Sequence, residues 1–143
     1  MIRREAASHD KTLCVLIYSA VVLSVGHHVD HIIRGNHVGW PLSSEVNAFT
    51  YSLAIYPLIV VGLLLYRSRR VGPGFWLFLS GGGALFLSAI HFGPLAVEPP
   101  SEIIDPYGSR FLGWLAFAWL VAFVAVLVIS SVYEATLWAR GRK

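Results

Sequence analysis

The stretch HHVDHIIRGNH holds four of the chain's six histidines, His27, His28, His31 and His37, together with Asp30 and Arg34. His27 and His31 stand one helical turn apart, the spacing at which two imidazoles on one face can meet a single ion. His91 offers a third nitrogen, and Asp30, Glu45, Glu98, Glu102 or Asp105 an oxygen. Nitrogen-rich ligation completed by carboxylate suits Zn, Cu or Fe better than Mg or Ca. His28 and Asp30 fall about 160° apart on a helical wheel, so they do not both reach one ion directly. One is then an alternate ligand and the other a partner that fixes an imidazole tautomer.

Three other chemistries fit the same residues. A b-type haem between His27 or His28 and His91 is one, although it leaves the remaining histidines and the acids without a role. A pH-sensing or proton-relaying cluster is another, because clustered histidines titrate near neutral pH. The third is purely structural, the histidines capping a helix end and bonding loop carbonyls. For an enzyme, Glu98, Glu102 and Asp30 are the candidate bases. Arg34 and Arg110 are candidates either for pairing with these acids or for holding an anionic substrate or lipid headgroup. His37 lies past Gly35 in a loop, and His9 falls on the opposite side of the membrane. The stretch is superficially similar to the histidine boxes of membrane desaturases and hydroxylases. This chain, however, has too few histidines and presents them on the outer side, so no residue role is carried over from those families.

What must position these groups is a membrane bundle. Hydrophobic residues make up 56% of the 143 and charged residues only 13%, with a mean hydropathy of +0.65. That composition is too apolar for an ordinary soluble domain. Four apolar runs, 13–33, 49–66, 75–92 and 111–133, each approach the roughly 20 residues needed to cross hydrocarbon. The expectation is a single all-α domain over 1–143, a four-helix transmembrane bundle. Pro57 is expected to kink the second helix. Ser43 or Ser44 is expected to cap it, with Glu45 in the first turn.

Lysine and arginine are clustered at residues 3–11, 67–70 and 140–143, whereas the two long connections carry Glu45, Glu98, Glu102 and Asp105. The positive-inside rule then places both termini in the cytoplasm, in a multi-pass protein of a bacterial plasma membrane. These basic residues flank apolar runs and form no patch, which argues against nucleic acid as a partner. Membrane lipid, a larger membrane complex or a second copy of the chain are the expected partners. The lone Cys14 permits no internal disulfide.

Depth and direction converge on one level. Measured along their helices, His27, His31 and His91 lie about 21, 27 and 24 Å from the cytoplasmic ends. On the wheel of the first helix, Ala20, Ser24, His27, His31 and Arg34 share one half, and Val22, Val25, Val29, Ile32 and Ile33 the other. The aliphatic half should face lipid and the polar half the bundle interior. SGGGALFLSAIHF brings small residues that let a neighbouring helix approach His91. Trp40 and Trp114 read as an outer aromatic belt and Trp138 as an inner one. Trp119 lies in the last apolar run, and Glu134 is expected to pair with Arg140 at the surface. Together these features imply an integral membrane metalloprotein, with a metal-dependent enzyme on a lipid-like substrate, a haem-bearing electron carrier, a metal handler and a pH sensor as its possible forms.

Overall fold

The computed structural model describes residues 2–35, 43 and 46–141, with side chains from residue 11. His37, Trp40, Ser44, Glu45 and the side chain of His9 lie outside the described residues. Within them every regular element is helical: α1 (Ile2–Arg34), α2 (Ala48–Ser52), α3 (Ile55–Arg67), α4 (Pro73–His91), α5 (Pro100–Ile104) and α6 (Arg110–Arg140). Four segments are long and apolar enough to span a membrane: Lys11–Arg34, Ala48–Arg67, Pro73–His91 and Arg110–Arg140. An even number of crossings returns both chain ends to one side. The bundle therefore has a terminal end and, opposite it, a histidine end.

The second span is broken where its sequence requires it. Pro57 has no N–H to bond the Leu53 carbonyl, and the helix divides into α2 and α3 at Leu53 and Ala54. The cap of α2 is Asn47 and not the expected serine. Its side chain accepts from Thr50 N–H while Thr50 Oγ1 accepts from Asn47 N–H, a reciprocal pair. Ser43 instead turns the preceding loop, its Oγ accepting from Val46 N–H. At the other end Pro73 opens α4 after Gly72, the position at which a missing N–H costs nothing.

Lipid tails are as apolar as leucine, so packing in this bundle depends on close approach and on polar contacts more than on apolar burial. α6 is the central element, packed along both α1 and α4. Ala84, Leu87, Phe123 and Leu127 form the middle of the interface, joined by Ala20 and Leu23 from α1. Gly26 lies directly under the Trp119 ring, and that indole donates to the Leu23 carbonyl at 2.9 Å. Towards the terminal end, Leu13, Ile17 and Trp76 gather Ile59 and Leu63 of α3 around them. The lipid-facing half of α1 is as its wheel requires: Val22, Val25, Val29, Ile32 and Ile33 are exposed, whereas Ser24, His27, His28, Asp30 and His31 are buried.

Candidate metal centre

His27 and His31 leave α1 on its buried face, and His91 closes the last turn of α4 beside them. All three are at least nine-tenths buried. One ring nitrogen from each lies within 4.8 Å of the other two. The His27 and His31 Nε2 atoms are 3.2 Å apart. Two nitrogens bound tetrahedrally at 2.0–2.1 Å from a zinc ion stand about 3.3 Å apart, so the pair already has the separation of cis ligands. The ring centroid of His91 is 5.1 Å from that of His27 and 6.0 Å from that of His31.

The loop after α4 sets the His91 ring. Gly93 takes φ +98°, a conformation open to glycine, and reverses the chain. Glu98 N–H then returns to the Ile90 carbonyl at 2.9 Å. The Glu98 carbonyl in turn lies 3.1 Å from His91 Nδ1. A carbonyl can only accept, so Nδ1 carries the hydrogen and Nε2 keeps its lone pair for an ion.

A polar lattice holds this loop over α1. Arg34 Nη1 donates to Glu98 Oε1 at 2.6 Å and to the Glu102 carbonyl at 3.0 Å. Arg34 Nε and Nη2 both reach Asp30 Oδ2, at 2.9 and 2.8 Å. Tyr107 donates to the other Asp30 oxygen; burial first, then that hydrogen bond, push its hydroxyl up to about 12. The second oxygen of Glu98 is 3.3 Å from His91 Nδ1 and 3.6 Å from His31 Nε2. Burial raises the Glu98 carboxyl above its ordinary range, and the Arg34 guanidinium pulls it back. Two carboxyl groups thus share one guanidinium beside the three imidazoles.

The remaining sequence candidates stand elsewhere. His28 points from α1 towards α2 and α3. Its Nδ1 lies 2.8 Å from the Ser24 carbonyl and 2.9 Å from Tyr56 Oη, and its Nε2 lies 2.9 Å from Ser52 Oγ. Both nitrogens are occupied in tying helices together, and His28 does not join the shared centre. Asp30 faces Arg34 and Tyr107 as described. Glu102 and Asp105 are exposed, and so is Arg110 at the start of α6. Cys14 is half-buried on α1, about 20 Å before His27 along the helix.

Glu134 overturns its expected surface pairing with Arg140. It is 1% exposed and hydrogen-bonded to Ser80 of α4. Gly113, Leu120, Phe123, Leu127, Ser130 and Glu134 recur every three, four or seven residues as the buried stripe of α6. That period is readable in the sequence and places Glu134 inside the bundle. Tyr56, Ser52 and Tyr107 carried no such signal, because their partners come from distant segments.

A cavity of about 330 Å³ connects the two buried polar groups. His27, His28, His31 and His91 line one end, and Trp76, Ser80, Ser130 and Glu134 the other. Between them the walls are apolar. Leu58 of α3 and Phe78 and Gly82 of α4 line the cavity and are also exposed, so it opens sideways between these helices. No family model matches the chain, and no curated protein or solved structure shows significant similarity to it.

Proposed function

We propose that this chain is a membrane metalloprotein in which His27, His31 and His91 hold one transition-metal ion, Zn, Cu or Fe, and act on a membrane-soluble substrate entering from the side. The observation that carries the reading is the convergence of three buried imidazole nitrogens within 4.8 Å at one end of a ligand-sized apolar cavity. Three imidazoles around one point support a bare ion over a haem. In a bis-histidine haem two rings stand on opposite faces of a wide macrocycle, whereas here the His27 and His91 rings meet edge to face at 5.1 Å between centroids and His28 is bonded to Tyr56 and Ser52.

A bound ion would supply Lewis-acid activation of water. The chain's own residues do the rest. Glu98 sets the His91 tautomer through its carbonyl, Arg34 fixes Glu98, and the apolar walls keep bulk water from the centre. Glu98 adjoins two of the histidines, which makes it the favoured carboxylate for moving a proton in an enzyme of this kind. Glu102 and Asp30 are the less favoured bases.

Elemental analysis of protein purified without chelators tests the reading. About one equivalent of Zn, Cu or Fe is expected in the parent protein. His27→Ala, His31→Ala and His91→Ala are each expected to lose it, while His28→Ala keeps it. Protein without any transition metal, or equal loading in all four variants, would overturn the proposal.

A further inference from the structure

The terminal end of the cavity is a second polar site. Trp76 and Ser130 both line it and are 3% exposed, yet Trp76 Nε1 and Ser130 Oγ have no hydrogen-bond partner. Buried polar groups are almost always hydrogen-bonded, so two unmatched ones on one cavity wall mark where a ligand's polar atom belongs. Beside them the Glu134 carboxyl is bonded to Ser80, whose Oγ also contacts Ser131 and the Trp76 carbonyl.

The donor set defines the ligand's chemistry. An indole N–H can only donate, so the ligand presents an acceptor. No lysine or arginine lines the cavity among the described residues, and the carboxyl of Glu134 adjoins the same end, which disfavours a carboxylate or phosphate. The acceptor is therefore an uncharged oxygen. The intervening walls, Ile17, Ile59, Leu79, Leu87 and Leu127 among them, suit an aliphatic or isoprenoid body. From Ser80 to His91 the distance along α4 is about 16 Å, so the molecule is elongated.

We infer that the cavity binds one elongated, uncharged, membrane-soluble molecule by its carbonyl or hydroxyl oxygen at Trp76 and Ser130, with its other end directed to the histidines. The inference deepens the proposed function by naming the substrate class, and it rests on the same cavity. It does not require the metal.

The test uses the full chain in phosphatidylcholine nanodiscs and a photoreactive long-chain methyl ketone with a diazirine on its alkyl chain. Cross-linking should map to the lining residues of α3, α4 and α6. Excess unlabelled long-chain methyl ketone should abolish it, and the fatty acid of equal chain length should not. Trp76→Phe and Ser130→Ala should each weaken competition about five-fold, the value of one hydrogen bond. Gly82→Leu should block labelling, since a Cβ at Gly82 meets open space at the cavity mouth. Gly82→Ala should not, which guards against a folding defect. Labelling retained in the parent protein stripped of metal with a chelator supports this site even if the metal reading fails. Labelling spread over lipid-facing residues and indifferent to Trp76→Phe, Ser130→Ala and Gly82→Leu overturns it, as would equal competition by the fatty acid. Absence of cross-links to the lining, the outcome expected if the cavity carried only water and protons, overturns it as well.

Discussion

His27 and His28 are adjacent, yet the fold assigns them different tasks. His27 turns to His31 and His91, and His28 turns the other way to fasten α1 to Tyr56 and Ser52. Arg34 has the largest structural share among the polar residues, since it joins Asp30 on its own helix to Glu98 and Glu102 across the bundle. Arg34→Ala would leave two carboxyl groups without their cation, and removing one partner of a buried pair costs about 3–5 kcal/mol. The expected outcome is a large loss of resistance to denaturant unfolding in mixed micelles, together with weaker metal binding as Glu98 is released. Arg34→Lys should recover only part of both, because one ammonium cannot span Asp30 on one side and Glu98 with the Glu102 carbonyl on the other as the guanidinium does. Unchanged stability in Arg34→Ala would show that the lattice does not hold the loop. At this scale the one-turn spacing of His27 and His31 was legible in the sequence, as was the common depth of His91. The partition between His27 and His28 was not, because it depends on where Tyr56 and Ser52 come to lie.

Helix α1 carries its polar and aliphatic residues on opposite halves, and this pattern alone oriented it correctly. The same reasoning applied to α6 would have placed Glu134 inside; its nearness to the chain end and to Arg140 suggested the surface instead. Pro57 marked a break in the second span, and the break falls at the residues whose hydrogen bonding it disrupts. What one helix's pattern does not contain is its pairing with another. Gly26 meets Trp119 across ninety-odd residues of chain, and nothing local to either residue announces the contact. Substituting Gly26 by leucine should force α1 away from α6 and cost about 1–3 kcal/mol, the usual range for overpacking. Trp119→Ala in the same chain should relieve part of that cost, measured as a double-mutant cycle of denaturant unfolding. Strictly additive effects would argue that the two residues do not set the helix separation.

At the scale of the whole molecule, apolar runs and the distribution of charge sufficed for a four-helix membrane bundle, because hydrocarbon thickness imposes span length. The cavity was beyond the sequence. It arises because α6 gathers α1 and α4 while the broken α2–α3 segment covers them less closely, a relation of elements and not of any single pattern. The result is one chamber with imidazoles at one end and a carboxyl, hydroxyls and an indole at the other. In the proposed function three histidines from two helices hold one ion. X-ray absorption spectroscopy of the metal-loaded protein tests it most directly. The expected spectrum shows a first shell with three imidazole nitrogens at about 2.0–2.1 Å if the ion is zinc, and His91→Ala shows no metal edge above background. A sulfur-dominated shell, an oxygen-only shell, or a spectrum unchanged by His91→Ala would contradict it.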